Sequence, residues 1–326
     1  MKKLLFVLIL IGTVQTFTSC VSVKSVSFEC LQQAEVNYPS QVKTVGVVNC
    51  TPVMSKADWN KFEIPGFCEG NGKTTAEILA QEIAETHYFE QVIISDSTLV
   101  PLNTDIGLSN GQIDSLIRSL DVDMLFTVER IKLQIEKGSV WSSQYMRNLP
   151  AIHVAIAPLI GAYKEGREAP LFKLLKADTL SFEWTRDLPL QEIIEVASEH
   201  VATSSMKHLL PHWEEVERYY FDGGNSEMRD AGVYVREQNW VEAAELWKTL
   251  YEKKKGKNKM YAAFNLALYH EMQSEFDIAK DYLEIASQLA TDNSPEKSLI
   301  MFYLFQVEEH SKRNQKLQIQ MKRFEE

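Results

Sequence analysis

Apolar positions along this chain follow one mixed pattern up to about residue 222 and a purely helical one beyond it. Val42 to Asn49 is rich in β-branched residues and predicts a buried strand. A loop with Pro52, Pro65, Gly66, Gly70 and Gly72 follows, and then Ala76, Leu79, Ala80 and Ile83 sit at helical spacing, predicting an amphipathic helix that ends near His87. Phe89 to Ser95 returns as a strand. Ser109 followed by Gln112 is a capping-box pattern, and Ile113, Leu116, Ile117 and Leu120 supply the buried stripe of the helix it opens. From Met124 to Glu136 the apolar Ile131, Leu133 and Ile135 alternate with Lys132, Gln134 and Glu136, the period of a long strand. Ile152 to Tyr163 and Leu171 to Trp184 flank a turn at Glu165, Gly166 and Arg167, which suggests an antiparallel hairpin. A helix from about Pro189 to Leu210, with Ile193, Val196, Ala197 and Val201 on one side, closes the series. This order of elements is that of an α+β fold, a mixed sheet with packed helices, rather than a doubly wound one.

Phe221, Asp222, Gly223, Gly224 and Asn225 mark a boundary, after which an internal repeat appears. Ala231, Tyr234, Trp240, Ala243, Trp247 and Leu250 match the small and large packing positions of a tetratricopeptide repeat, and Leu266, Ala267, His270, Phe276, Ala279, Leu283 and Ala286 match them again. Small alanines let two helices approach closely, and an aromatic side chain fills the space beside them. A further helix from about Pro295 to Glu308 caps the stack, with Lys312 to Glu326 as a solvated extension. Tyr261, Phe264, Leu268 and Glu271 lie on the first helix of the second repeat, on the side that such repeats turn toward a concave groove. They are the candidate partner-binding residues: the aromatics would take apolar anchors while Glu271 selects a basic partner.

The amino-terminal end carries a different signal. Lys2 and Lys3 precede a short apolar run, Leu4 to Gly12, and Thr13 to Ser19 lead polar and small to Cys20. The run is too short to span a bilayer. It reads as a lipoprotein export signal, with Cys20 as the lipidation site; each buried methylene of the added acyl chains is worth roughly 0.8 kcal/mol. The expected layout is a signal peptide over 1–19, a lipidated cysteine and tether over 20–40, the α+β domain over 41–222 and the helical domain over 223–326.

Composition narrows the chemistry. Apolar content of 45% and charged content of 24% fit a globular body. A net charge of -11 argues against a nucleic-acid surface, which needs clustered Lys and Arg. Besides Cys20 there are Cys30, Cys50 and Cys68; Cys50 with Cys68 is the favoured disulfide pair, and their spacing matches neither a zinc nor a CxxC motif. Gly70, Asn71, Gly72, Lys73, Thr74 and Thr75 invite a phosphate-loop reading, but the first glycine such a loop requires would fall at Phe67, so the loop is expected to end in a helix capped by Thr74 or Thr75, with no nucleotide bound. His208 and His212 are four apart, with Glu215 as a third ligand, but Pro211 stands between them, so the metal set is expected to be none. No cofactor and no catalytic residue is indicated.

Phe17, Thr18, Ser19 and Cys20 are a looser version of the common lipoprotein box and resemble those of Bacteroidota envelope lipoproteins. In that group an acidic cluster after the cysteine directs surface transport, and Val21 to Ser25 carry no acid, so the resemblance implies an outer-membrane protein facing the periplasm. The element order over roughly 40–210 resembles the α/β domains of lipoproteins related to the curli secretion channel and the amino-terminal domain of TolB. Leu209 to Trp213 with Val216, Arg218, Tyr219 and Tyr220 resembles the interdomain stretch of a Bacteroidota lipoprotein family with carboxy-terminal tetratricopeptide-like helices. These features together imply a lipid-anchored, non-enzymatic scaffold protein that contacts other envelope proteins. An accessory or assembly factor of an export channel is the first alternative, and a metal-dependent hydrolase using His208 and His212 the second.

Overall fold

The computed structural model describes residues 22–52, 63–95, 108–184 and 189–324. The signal run and Cys20 lie outside the described residues. The described residues form two compact units: 22–32 with Trp213–Lys316, and those of Gln33–His212 with 317–324.

The expected tether is folded. Ser22–Gln32 is a strand, β1, and Val36, Tyr38 and Val42 belong to the core of the second unit. That unit is built on a sheet. β2 (Thr44–Asn49) runs parallel to β4 (Gln91–Ser95) and to β5 (Met124–Ser142), while β6 (Arg147–Lys164) pairs antiparallel with β5. β3 (Gly66–Glu69) adds to β5, and β7 (Phe172–Leu174) and β8 (Asp178–Glu183) add to β6. The expected strand from Leu171 to Trp184 is thus two short ones, and β3 lies in what reads as loop.

Side-chain alternation builds three layers. Val45 and Val47 face one core with Met124, Phe126 and Val128, whereas Val48, Cys50 and Leu125 face the other. α1 (Gly72–Glu85) and α3 (Leu190–Leu209) cover the first face through residues such as Leu79, Ile83, Ala197 and Val201. α2 (Asn110–Leu120) covers the second through Ile113 and Ile117. A bulge between Val128 and Arg130 shifts the parity of β5, so Ile131, Leu133 and Ile135 stay on the first face. Cys50 and Cys68 belong to the cores on opposite faces of the sheet and are free thiols, which corrects the expected pairing.

The carboxy-terminal residues are not a solvated extension. Gln320 accepts from the Ala34 N–H at 2.9 Å and donates to the Ala34 carbonyl at 3.0 Å. The Arg323 guanidinium lies 4.2 Å from the Tyr88 ring centre and hydrogen-bonds the Val42 carbonyl.

In the other unit, β1 pairs with β9 (His212–Asp222), the stretch read as an interdomain segment. Helices α4 (Ser226–Arg236), α5 (Trp240–Lys253), α6 (Gly256–Met272) and α7 (Phe276–Leu289) follow, then α8 (Pro295–Met321). The turns joining α4 to α5 and α6 to α7 are alike. Gln238 and Ser274, 36 positions apart, both hold left-handed backbone, with φ of 62° and 60°. The Asn239 and Glu275 N–H groups then close on the Tyr234 and His270 carbonyls, again 36 apart.

Candidate functional site

Tyr261, Phe264, Leu268 and Glu271 do not line a groove. They are 2%, 0%, 0% and 1% exposed, because α6 is buried on every side from Met260 to Leu268. Phe221 packs on Tyr261 with ring centres 4.2 Å apart, and Tyr303 packs on Phe264 at 5.1 Å. A helix apolar all round belongs in a core. The Asn265 side chain bonds both backbone groups of Phe221, at 2.8 and 2.9 Å, and fixes β9 against α6.

Glu271 is the exception within that core. At the 36-residue spacing of the two turns, its counterpart in the first helix pair is Val235, which is also buried. A carboxylate at an apolar position needs partners, and Glu271 has four hydrogen bonds of 3.0 Å or less. Arg218 from β9 donates through its Nε at 3.0 Å and a terminal nitrogen at 2.8 Å, the Tyr303 hydroxyl donates at 2.6 Å, and His310 Nδ1 lies at 2.8 Å. Burial pushes the Glu271 carboxyl up, but the bonds from His310 and Arg218 outweigh it and hold the group down at about 2. Burial pushes His310 down, and Cys30 of β1 and Glu271 raise it above the ordinary histidine value; the Gln32 side-chain amide donates to the Cys30 Sγ at 2.9 Å. Arg218, Tyr303, His310 and Glu271 therefore form one connected cluster of polar groups. The sequence reading singled out only Glu271 among them for a site. The signal that could have found the rest was the repeat register, which sets an acid opposite Val235.

The same unit carries a groove of about 620 Å³, lined by Phe28 and Glu29 of β1, Glu215 and Tyr220 of β9, and Arg236 and Trp240. Arg236 is held by Asp222 at 3.2 Å. Glu29 and Glu215 are exposed. Neither carboxylate has an ion-pair partner among the described residues.

In the sheet unit, the glycine-rich loop is closed by its own chain. The cap of α1 is Asn71, not Thr74 or Thr75: its side-chain oxygen accepts from the Thr74 N–H at 3.3 Å. Glu195 of α3 accepts from the Asn71 amide at 2.7 Å and from the Thr74 hydroxyl at 2.9 Å, so a carboxylate stands where a phosphate would have to bind. Gly72 permits this packing, since a Cβ there would lie 2.1 Å from Thr51 Oγ1. His208 and His212 do not share a helix face. α3 ends at Leu209, His208 Nδ1 lies 2.9 Å from Glu35, and His212 Nδ1 bonds the Leu210 carbonyl at 3.2 Å. Among the described residues no group of three or more His, Cys, Asp or Glu is placed to hold a metal ion. The far end of the β5–β6 hairpin is exposed and apolar, with Trp141, Tyr145 and Met146.

Comparison with known proteins gives no match among curated proteins. The family described as Domain of unknown function (DUF6340) matches residues 229–309, which begin in α4 and end in α8. The family described as Domain of unknown function (DUF8603) matches 42–221, from just before β2 through nearly all of β9. With more than half of its 326 residues in that match, the chain belongs to the DUF8603 family.

Proposed function

We propose that the protein is a lipid-anchored binding protein of the bacterial envelope, held at the outer membrane through Cys20 and facing the periplasm, which grips an extended segment of a partner protein without turning it over. The groove beside β1 is the observation that carries this reading. Among the described residues β1 pairs with β9 alone, which supports its other edge as the place for an added strand. Phe28, Tyr220 and Trp240 offer apolar contact, and the unpaired Glu29 and Glu215 favour a segment with a basic side chain. The recurring turn geometry at a 36-residue spacing supports a tetratricopeptide-like stack behind the groove, an architecture whose neighbouring repeats present extended binding surfaces.

Selection of a randomised extended-peptide library on the full chain tests this. Enriched peptides are expected to carry Lys or Arg among alternating apolar positions. The double substitution Glu29→Lys and Glu215→Lys should weaken them about tenfold or more, the size of one lost charge-assisted contact. Enrichment of nothing, or of peptides indifferent to that double substitution, refutes the reading.

A further inference from the structure

The β5–β6 hairpin outruns the rest of its sheet. β8 follows β6 only as far as Ala151, and β3 follows β5 only as far as Ile135. Among the described residues, the pairs from Val140 with Leu149 to Ser142 with Arg147 therefore have no further strand beside them. Every residue from 136 to 150 is exposed or half-buried. Even so, this free end is apolar: Val140, Trp141, Tyr145 and Met146 are 43%, 58%, 57% and 74% exposed. Val140 and Leu149 lie on one face of the ribbon, Trp141 on the other, and Tyr145 and Met146 in the turn that closes it. None of these side chains enters a core of the sheet unit, so packing within the fold does not account for them.

Charge says what would cover this end. From Lys137 to Lys164 the chain has no Asp or Glu, although the sequence holds 45 acidic residues against 34 basic ones. The cations at the free end are Lys137 and Arg147, and each lies by an aromatic ring. Lys137 Nζ is 4.9 Å from the Trp184 ring centre, and the Arg147 guanidinium is 5.8 Å from that of Tyr145. The acids along this ladder, Glu136 opposite His153 and Glu183 opposite Ala151, stand behind the tip. We propose that the tip docks end-on into an anionic lipid surface, with Trp141 and Tyr145 at headgroup level and Lys137 and Arg147 against the phosphates. A protein partner laid along the ribbon would cover one face. Apolar groups on both faces and in the turn all leave water only when the end is immersed. At about 3.3 Å per residue, the unaccompanied pairs extend roughly 10 Å, far short of a hydrocarbon core of ~30 Å, so the contact is interfacial and does not span. An anionic surface repels a chain of net charge -11 elsewhere, so this cationic end decides which part of the sheet unit meets it. The contact goes beyond the peptide groove and rests neither on that groove nor on Cys20.

The test uses the full chain carrying Cys20→Ser, so that no acyl chain takes part, with vesicles of phosphatidylglycerol and phosphatidylethanolamine or of phosphatidylcholine alone. The apolar run Leu4 to Gly12 is common to every variant and binds lipid by itself, so the readout is local: hydrogen exchange at the amides of 138–149. On the phosphatidylglycerol vesicles these amides should exchange about tenfold or more slowly than in the free chain, with the α6 amides unchanged. Phosphatidylcholine should protect them less. Combining Trp141→Ser, Tyr145→Ser and Met146→Ser, or Lys137→Gln with Arg147→Gln, should bring the exchange back to within about twofold of the free chain's. None of the five side chains lies in a core, so both variants should melt with the parent. The proposal is overturned if phosphatidylglycerol vesicles do not slow the tip, if phosphatidylcholine slows it equally, or if either variant keeps the protection. It is overturned equally by a fall in the melting temperature of the variants, which would give these side chains a structural role. Slowing without vesicles that grows with protein concentration would seat a second copy on the tip and also overturn it. None of these outcomes bears on the peptide groove.

Discussion

Replacing Arg218 by Met removes two of the four short hydrogen bonds that hold the Glu271 carboxylate while leaving the carboxylate buried. The size of the effect follows from two directions. Holding the carboxyl at about 2 rather than 4.5 corresponds to about 3 kcal/mol of stability at neutral pH. Breaking a buried ion pair by deleting one partner costs about 3–5 kcal/mol. The single variant should therefore lose about 3 kcal/mol or more. Glu271→Met should lose a similar amount, since it strands Arg218, Tyr303 and His310. The double variant should lose clearly less than the sum, with a coupling of about 2 kcal/mol or more, because no lone charge is left inside. Urea denaturation with hydrogen exchange read at the α6 amides measures all three. The depressed carboxyl contributes stability that is present above about pH 4.5 and fades as the pH falls toward 2, and Arg218→Met should flatten that fall. Additivity of the two single losses to within about 0.5 kcal/mol would refute the claim that these groups act as a unit.

Burial pushes the Cys50 and Cys68 thiols up to about 12, so neither should react with a maleimide at pH 7 in the native protein, and both should react in concentrated urea; native labelling of either, read by mass mapping, contradicts their placement. Asn71→Ala deletes the α1 cap and one of the donors to Glu195, and should cost about 1 kcal/mol, or about 2–4 °C in the melting temperature of a unit of this size. Deleting residues 22–32 should destabilise the helical unit by roughly 3 kcal/mol, since Val26 and Phe28 pack against its core, whereas removal of a mere tether would leave α6 exchange protection unchanged.

Local signals were legible where one short segment carries the whole instruction. The capping box is present: the Ser109 N–H donates to Gln112 Oε1 at 2.9 Å. The alternation through Ile131, Leu133 and Ile135 marks the buried face of β5. What escaped depends on partners far away in the chain. β1 does show Val26, Phe28 and Cys30 at period two, but its partner strand begins near residue 212, and nothing local distinguishes such a strand from a leash. The binding surface assigned to α6 failed for a related reason. Periodicity locates a groove only on a helix with a polar face, and α6 is apolar around its circumference, so its neighbours decide which residues are covered. Leu317, Gln320 and Arg323 look like a charged tail because the groups they meet, at Ala34, Val42 and Tyr88, are more than 200 residues earlier.

Stability alone is a weak account of the polar cluster. An apolar set of the same shape would hold β9, α6 and α8 together at least as well, as Val235 does at the corresponding place in the first helix pair, because desolvating Glu271 and Arg218 costs much of what their attraction returns. What an apolar set cannot do is reject a wrong register. The Glu271 carboxylate of α6 is fully partnered only when Arg218 of β9 and Tyr303 and His310 of α8 reach it together, and these elements are far apart in sequence. A shift of β9 or α8 leaves a buried charge short of donors, at a cost that sliding one apolar side chain past another does not carry.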